Sequence, residues 1–587
     1  MQYLKKFNKD HSLKIIFLAG ALLGGIIFLL LFGVHILDVT YVDRILVRQG
    51  VEDLPQHYLA WECFRHSAWS FPLGNIDNLI YPENISIVYS DSIPLFAVIF
   101  KLFSPILPSS FQYFGIWTLL CFMLQGAFAS LISYHFSKSK VISLIYSVFF
   151  VLSTILLKRT FYHSALSAHW LILAAFAIWL FKNEFKSKKH IIILFAILNA
   201  LTVTIEAYFT PLVIGIMLCF LFQDVIDTKK WKLTIITIAS SFVAILATTW
   251  IFGYFSSNIS PSTVGLGMYS FNLKGFINTA GDSSIFSEIK LYLPGQLDGN
   301  AYLGFGIFVL LGFSFIHLIV SFFKHCLKKG LVALNVKHYI PWITLLVVFI
   351  MLALSPQITY GEKLLISINW PTSVINILSI FRSSGRFIWP VFYVIFIFCI
   401  REVSLFQKNI IANMNKKKGI NYISSILIVV MMLMLLVAQL YDISPLLNKK
   451  NKIISKEVVY ASPFQSDVWD ELAKTHKYLY ISSPIYELYW DYGVQSISLN
   501  LEKFAVDHNM ILNAAYLSRD ISKEKDIEIT EHFSTMAQGA VYDDYIYIFP
   551  NLKDVPGSGY GLHYYSISGF TVGVNTAING LDEIYFN

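Results

Sequence analysis

The segment between the first two long apolar runs carries side chains that suit acid–base chemistry. Asp53 precedes Pro55, a residue that fits the first turn of a helix, so a helix is predicted to begin here. Asp53, Gln56 and His57 then share one face, because they lie three and four residues apart. An ionised carboxylate in this place could accept the proton of an attacking hydroxyl. The alternative is that Asp53 only caps the helix.

A second acidic position follows in the same segment. Asp91 lies in Tyr89-Ser-Asp-Ser-Ile-Pro-Leu95, near the start of an apolar stretch at about 93–108. It is predicted either to cap a short helix or to face a metal ion or a substrate hydroxyl. These residues require no cofactor. A divalent ion would use Asp53 and Asp91 as ligands, although no ligand spacing favours a metal site.

Basic side chains stand near the ends of later apolar runs. Lys158 and Arg159 are adjacent, and Arg382 and Arg386 are four residues apart and so share a face if helical. A charged side chain without a partner at full membrane depth costs about 2.5–3.5 kcal/mol, which a phosphate would offset through bidentate hydrogen bonds. These residues therefore predict a phosphate or diphosphate site. The alternatives are snorkelling anchors for the first pair and pairing with loop carboxylates for the second.

Further polar residues at the ends of runs or in loops are candidates for contact with an acceptor or another substrate. These candidates are Gln56, His163, His169, Glu206, Gln296 and Asp298. His163 and His169 are six residues apart, which does not place them on one helical face and disfavours zinc. For Gln296 and Asp298, the alternative is a glycine-rich turn that leads into a helix.

The elements that must hold these groups are mostly membrane helices. Of 587 residues, 56% are hydrophobic and 14% are charged, and the mean hydropathy is +0.60. An ordinary soluble domain has about 25% charged residues, so this composition excludes a set of water-soluble domains and a disordered chain. The net charge of +7 is not a nucleic-acid signal, because the basic residues lie between the apolar runs. Five cysteines cannot make a full disulfide framework.

About eleven apolar stretches are predicted to span a membrane, since a bilayer core of about 30 Å needs about 20 helical residues. They are roughly 15–36, 113–135, 141–157, 166–181, 190–205, 207–223, 233–253, 301–323, 338–355, 387–400 and 420–441. The stretch at about 93–108 is short and contains three prolines, which favours a re-entrant or interfacial helix.

Lysine and arginine fall in every second loop, which predicts that those loops and the N-terminus are cytoplasmic. The first outer loop, at about 37–112, then faces outward, and an odd number of spans places the C-terminal part outside as well. Beyond about 441 the apolar stretches shorten to strand length, as at 477–482 and 545–549. We therefore predict an all-α polytopic membrane domain over 1–441 and a small extracytoplasmic α/β domain over 442–587.

Several motifs together resemble a known family. They are Asp53-x-x-Gln-His-Tyr-x-x-Trp61, Phe64-Arg65-His66, Trp69-x-x-Pro-Leu-Gly74, Ser90-Asp-Ser-Ile-Pro-Leu95, Phe111-Gln-Tyr-Phe-Gly-Ile-Trp117, His163 to Trp170, Tyr302-Leu-Gly304 and Arg382-Ser-Ser-Gly-Arg-Phe387. On these motifs the chain resembles a bacterial family of polytopic membrane proteins that was long catalogued as a domain of unknown function and belongs with the GT-C-type glycosyltransferases. The motifs are specific for the family and say little about the substrate.

The resemblance implies a GT-C-like fold and a polyprenyl-phosphate-linked sugar as donor. In such enzymes an acidic residue of the first outer loop acts at the catalytic site, and here Asp53 matches that position. Arg386, with Arg382, looks like the donor-phosphate clamp, and Lys158 or Arg159 could assist it. Glu52 is a stand-in for the acid, because Glu52 precedes Asp53 where a glycine is expected.

The resulting hypothesis is an inverting glycosyltransferase of the bacterial plasma membrane, with its active site on the extracytoplasmic side. Asp53 would be catalytic, and Glu52, His57 and Asp91 would support it. The predicted partners are the donor, a surface glycan or lipid-linked acceptor, and membrane lipid, with no nucleic acid. Two alternatives remain: a transporter or flippase of a lipid-linked saccharide, and a non-catalytic scaffold for surface-polymer assembly. The sequence contains no Walker, Rossmann, Gly-x-Ser-x-Gly or His-Glu-x-x-His motif.

Overall fold

The computed structural model describes residues 2–47, 51, 53–255, 266–329, 337, 339–413, 418–482, 492–517, 531, 534–535, 540–557 and 561–586. The chain divides into two compact units. The helical unit comprises Met1–Asp38, Tyr113–Ile245 and Ser262–Lys456. The sheet unit comprises Val39–Gln112, Leu246–Pro261 and Glu457–Asn587. Whether the domain boundary lies between 441 and 442 stays a prediction.

The structure is mostly helical. The helices are α1 (Gln2–Phe32), α2 (Asp43–Leu46), α3 (Leu54–His66), α4 (Pro94–Leu102), α5 (Phe114–Ser137), α6 (Lys140–Val151), α7 (Thr154–Arg159), α8 (Trp170–Leu180), α9 (Lys188–Ile205), α10 (Phe209–Thr228), α11 (Lys232–Phe252), α12 (Phe305–Lys329), α13 (Ile340–Leu354), α14 (Thr372–Leu378), α15 (Trp389–Asn413), α16 (Lys418–Asp442), α17 (Ser444–Ser455), α18 (Asp467–Thr475) and α19 (Tyr492–Asp507). The strands are β1 (Asn75–Ile76), β2 (Ile85–Ser86), β3 (Gln357–Tyr360), β4 (Lys363–Ser367), β5 (Tyr478–Ile481), β6 (Ile511–Leu512), β7 (Tyr545–Phe549), β8 (His563–Ile567) and β9 (Phe570–Val574).

Within the described part of the chain, eight helices are long and apolar enough to cross a membrane. These segments are His11–Phe32, Phe114–Ser137, Lys188–Ile205, Phe209–Thr228, Lys232–Phe252, Phe305–Lys324, Ser384–Ile410 and Ser425–Asp442. Three shorter apolar helices, Lys140–Val151, Ser164–Leu180 and Ile340–Leu354, match the other predicted stretches. The prediction of a helical, multi-pass type of protein is confirmed, whereas the count of eleven spans stays a prediction.

Glycines bring α1 and α5 into backbone contact. A Cβ atom on Gly24 would lie 2.1 Å from the carbonyl oxygen of Phe122, and one on Gly126 would lie 2.3 Å from that of Gly20. In a membrane the lipid is as apolar as the helices, so the hydrophobic effect does not drive helices together. Small residues promote association there because they let the helix backbones approach closely. The α1–α5 pair is therefore a tightly packed part of the helical unit.

The sheet unit contains a five-stranded mixed sheet in the order β6-β5-β7-β9-β8. β5 runs parallel to β6 and β7, whereas β9 pairs antiparallel with β7 and β8. β5 and β7 fall within the predicted strand segments 477–482 and 545–549, so the small C-terminal sheet region is confirmed.

The segment between β1 and β2 joins this sheet at the β6 edge. Leu79 forms a parallel bridge with Leu512 of β6. The Leu512 amide donates to the carbonyl oxygen of Asn78, and the Tyr81 amide donates to the Leu512 carbonyl oxygen, both at 3.1 Å. The Tyr81 ring also lies 4.9 Å from the ring of Tyr478 in β5. Residues from this segment and the C-terminal part thus share one packed unit.

Helix α19 packs against α3, the helix that carries the candidate acid. Glu502 of α19 is buried here, and its carboxylate and that of Glu62 on α3 both act on the thiol of Cys63, also on α3. Glu62 itself forms a 3.5 Å ion pair with Arg65. Burial raises the pKa of Glu502 to about 8, because the charged form loses its hydration. Folding therefore favours the protonated carboxyl.

We predict that Glu502→Gln stabilises the protein by an amount that grows as pH rises from about 4.5 to about 8. A folded-state pKa above the unfolded value gives stability that is complete below pH 4.5 and is lost as pH rises through about 8. Glutamine mimics the protonated carboxyl, so the variant should melt at least ~2–4 °C above wild type at pH 9 and equally at pH 5. Thermal unfolding in detergent micelles measures this. Glu471→Gln, at an exposed position, is the control. The prediction would be contradicted if the melting temperatures of wild type and Glu502→Gln changed equally with pH.

Candidate functional site

Two arginines of the helical unit share one carboxylate. Asp298 Oδ1 lies 2.7 Å from Nη1 of Arg159, and Asp298 Oδ2 lies 3.0 Å from Nε of Arg386. Arg159 Nη2 also donates to the Asp298 backbone carbonyl oxygen at 2.6 Å. Both guanidinium side chains are 9% exposed. We call Arg159, Asp298 and Arg386 the arginine–aspartate cluster.

The arginine–aspartate cluster keeps a net positive charge. Burial alone would raise the pKa of Asp298, but the charges of Arg159 and Arg386 outweigh burial and hold that pKa well below its usual range. The cluster by itself holds two guanidiniums and one ionised carboxylate, and the Glu206 carboxylate beside Arg386 offsets part of that difference. An anion that approaches the guanidiniums would complete the compensation of their charge.

Glycines allow Asp298 and Arg386 to meet. Asp298 follows the 3-10 turn Pro294–Leu297, and Arg386 lies in the 3-10 helix Ser384–Ile388 that leads into α15. A Cβ atom on Gly385 would lie 2.6 Å from Cα of Gly299, so these turns touch backbone to backbone. Any larger residue at either glycine would push the two turns apart.

A buried lysine holds the backbone on both sides of Arg159. Lys450 of α17 donates through Nζ to the carbonyl oxygens of Thr160, at 2.7 Å, and Lys158, at 3.3 Å. Burial lowers the pKa of Lys450 to about 7. Lys158 itself forms a 3.1 Å ion pair with Asp282. Lys158 and Arg159 are thus both engaged within the unit, on separate carboxylates.

Aromatic rings surround the guanidiniums. The Arg386 guanidinium carbon lies 4.5 Å from the ring centre of Tyr208, and that of Arg159 lies 5.7 Å from Trp389. Buried His169 packs against Trp389 with ring centres 4.4 Å apart. Glu206 lies in the same group of side chains, because its carboxylate accepts the Tyr208 amide hydrogen at 3.2 Å. The structure therefore brings His169 and Glu206 together with the cluster.

The other predicted contacts of this unit differ in environment. Arg382 faces the ring of Tyr269 at 5.2 Å and does not belong to the arginine–aspartate cluster as defined. His163 packs beside Tyr162 with ring centres 4.8 Å apart. Gln296 is buried, and its amide nitrogen donates to the hydroxyls of Ser270 at 3.1 Å and Thr359 at 2.8 Å. These hydrogen bonds hold the Gln296 amide within the folded unit, and its contact with an acceptor substrate stays a prediction.

In the sheet unit, Asp53 precedes the first turn of α3 and makes no side-chain capping bond there. Its Oδ1 instead accepts from the Tyr516 hydroxyl at 3.4 Å. Gln56 donates through its amide nitrogen to the backbone carbonyl oxygen of Tyr516. The predicted face of α3 is therefore in contact with the segment that follows β6. Glu52 lies outside the described residues.

His57 and Asp91 lie in the same unit. His57 is fully buried, and burial lowers its pKa to about 4, although the charge of Asp91 opposes this shift. A neutral imidazole is therefore expected at pH 7. Asp91 has a φ of 54°, and the N-cap of α4 is Ile93, so Asp91 is not the cap of that helix. The divalent-ion alternative through Asp53 and Asp91 stays a prediction.

The family described as "Domain of unknown function (DUF6311)" matches residues 21–444, and the DUF6311 C-terminal domain matches residues 468–575. The chain belongs to the DUF6311 family. The resemblance to a family of unknown function is thereby confirmed, while the placement of this DUF6311 protein with GT-C enzymes stays a prediction. Comparison with curated proteins gives no match.

Among solved structures, this DUF6311 protein is similar to the archaeal oligosaccharyltransferase AglB from Archaeoglobus fulgidus in complex with an inhibitory peptide and a dolichol-phosphate. The identity is 11%, and the match covers 98% of this chain and 76% of that chain. The TM-score of 0.43 is too low to establish a shared fold.

Sequence reasoning on this DUF6311 protein missed three site residues. Asp282 carried no role in the prediction, although it pairs with Lys158. Lys450 lies in a polar stretch beyond the last apolar run, where only the amphipathic pattern of α17 could have indicated a packed side. Tyr516 is one of 33 tyrosines, and no spacing sets it apart.

We predict that Asp298→Ala destabilises this DUF6311 protein by about 3–5 kcal/mol, because two buried guanidiniums lose their shared counter-ion. Thermal unfolding in detergent measures the loss, and inorganic phosphate should restore part of it. Asp227→Ala is the matched control, since the pair with Lys182 is more exposed and should contribute about 0.2–1 kcal/mol. Equal losses in both variants, with no phosphate effect, would contradict the prediction.

Proposed function

We propose that this protein is a membrane glycosyltransferase that transfers a sugar from a polyprenyl-phosphate donor to a surface glycan or lipid-linked acceptor. The observation that carries the proposal is the arginine–aspartate cluster, in which two buried guanidiniums share one carboxylate. The cluster lies where the candidate span Ser384–Ile410 begins, so its two guanidiniums stand at the end of a candidate membrane helix. A lipid phosphate combines the required charge with an apolar tail.

The proposed reaction makes the phosphate group of the donor more negative, and the positively charged guanidiniums of the cluster favour that change. In the proposed reaction an acceptor oxygen bonds to the anomeric carbon while the bond from that carbon to the phosphate oxygen breaks. The donor phosphodiester carries one negative charge, whereas the released phosphate monoester carries about 1.5–2. Arg159 and Arg386 would stabilise this added charge, with Lys158 and Arg382 as further candidate contacts.

The acceptor proton needs a base, and Asp53 is the proposed one. An ionised carboxylate takes the proton of the acceptor hydroxyl as the oxygen attacks, a contribution of roughly 10²–10⁴-fold. The Tyr516 hydroxyl bonds to Asp53 Oδ1 and would hold the carboxylate in place. Direct attack inverts the anomeric centre. His57 and Asp91, with Glu52, remain proposed supporting residues, and His163, His169, Glu206 and Gln296 remain proposed substrate contacts.

A transporter of lipid-linked saccharide is the second candidate, and one observation favours it. Within the candidate spans Phe305–Lys324 and Ser384–Ile410, the imidazole of His317 lies 2.8 Å from the carboxylate of buried Glu402. Ionisable groups inside spans often mark transport paths. Glu402 is 16 residues beyond Arg386, roughly 24 Å along a helix, so these two groups do not form a continuous polar path.

The test uses vesicles with a panel of radiolabelled polyprenyl-phosphate sugars and acceptor glycan. Wild type should form labelled glycan, and Asp53→Asn should lower turnover by about 10²–10⁴-fold. Arg386→Gln should lower it as well, whereas Asp554→Asn, a half-buried acid of the sheet unit that lies outside the proposed machinery, should not. Movement of label across the vesicle membrane without covalent transfer would favour the transporter. No transfer by wild type from any donor would reject the proposal.

We also propose that eleven spans place the N-terminus in the cytoplasm and the C-terminal part outside the bacterial plasma membrane. A membrane-impermeant maleimide added to intact cells should then label Leu552→Cys, an exposed position of the sheet unit. It should not label exposed Lys186→Cys, in a loop that is predicted to be cytoplasmic, until the cells are permeabilised. The reverse pattern would overturn the orientation.

A further inference from the structure

The chain between α13 and Arg382 exposes an unusual amount of apolar surface. It forms the β3–β4 hairpin and helix α14, and we call residues 357–380 the arm. All five residues of β4 are exposed, and α14 has no buried residue. Leu365 and Ile366 are each 53% exposed, and Ile377 is 64% exposed. A two-stranded hairpin with such a surface is poorly stable in water and prone to aggregation.

The arm follows an exposed apolar face of helix α13. Ile343, Val347 and Met351 are exposed at four-residue spacing on the apolar helix α13. The arm begins three residues after α13 ends and stops four residues before the candidate span Ser384–Ile410 begins. Both of its ends are therefore tied to ends of apolar helices, which keeps it near one membrane surface.

The chemistry of the arm sets its depth. The outer edges of a two-stranded hairpin leave backbone groups that hydrocarbon cannot satisfy, so the arm cannot lie in the bilayer core. Tyr360 and Trp370 are residue types that collect at the membrane–water interface. Lys274 Nζ lies 4.6 Å from the Tyr360 ring centre, and Lys363 is exposed at the start of β4. This composition fits the boundary between headgroups and acyl chains.

We propose that the arm is a lipid-binding element that lies in the interfacial layer of the bilayer. Leu365 and Ile377 enter the upper acyl region, while Lys363 and the edges of the hairpin stay among headgroups and water. The inference goes beyond the proposed function, because it needs no donor sugar. The arm ends two residues before Arg382, so its depth fixes the level at which that arginine can meet phosphate groups of lipids.

Spin labels test the occupant of this surface. Leu365→Cys and Ile377→Cys are labelled in full-length protein in phosphatidylcholine–phosphatidylglycerol bilayers, and collisions with oxygen and with a water-soluble nickel complex are compared. The ratio of oxygen to nickel collisions should be several-fold higher than at Leu552→Cys, an exposed position of the sheet unit. It should not exceed that at Val347→Cys on α13.

Two results would overturn the proposal. A ratio equal to that at Leu552 would place the arm in water, and low collision rates with both reagents would place it against protein, such as a second copy of the chain. Trp370 gives a label-free second measurement. The fluorescence difference between wild type and Trp370→Phe should be quenched more by lipids brominated near the headgroup than by lipids brominated deep in the chain. Absence of quenching would also reject the proposal.

Discussion

Two guanidiniums held by one carboxylate form the constraint on which the polar part of the helical unit depends. Arg159 is the last residue of α7, Arg386 precedes α15, and Asp298 precedes α12, so the cluster ties three distant parts of the chain together. Such a group is stable only if the backbones approach closely, which the contact of Gly299 with Gly385 permits. The same shortage of negative charge that makes the cluster a proposed anion site also makes it sensitive to its own geometry.

Features of the fold that follow from apolar length could be predicted from the sequence, and features that follow from tertiary pairing could not. Long runs predicted the positions of the membrane helices because burial of about 20 apolar residues leaves few other solutions. The run at 387–400 is shorter than its helix: α15 continues to Asn413, and Glu402 within it pairs with the adjacent Arg401 and with His317 on α12. A buried polar group within a helix is acceptable once another helix satisfies it, and this partner is invisible in local sequence.

The candidate site shows the same limit. Residue type and spacing identified Arg159, Arg386 and Asp298 separately, and Asp298 was interpreted as an acceptor contact or as part of a turn. The alternative that Arg386 pairs with a loop carboxylate matches the structure, but the sequence did not single out Asp298 as that carboxylate. Lys450 donates to backbone carbonyl oxygens. A contact of this kind does not depend on the side chains of the accepting residues, so their types do not indicate it. The sequence left open the alternative that Asp53 only caps the helix. In the structure the Asp53 side chain makes no capping bond, and its carboxylate accepts from the Tyr516 hydroxyl.

The bridge between Leu79 and Leu512 has a consequence for biosynthesis. Gln56 and Tyr516, which are bonded in the same unit, lie 460 residues apart in the chain. The early loop is therefore synthesised long before its sheet neighbour exists, and closure of so long a segment makes its folding slow and late. Until the residues of β5, β6 and β7 have been synthesised, the loop lacks its partners in the sheet, and in that interval it is expected to be bound by chaperones.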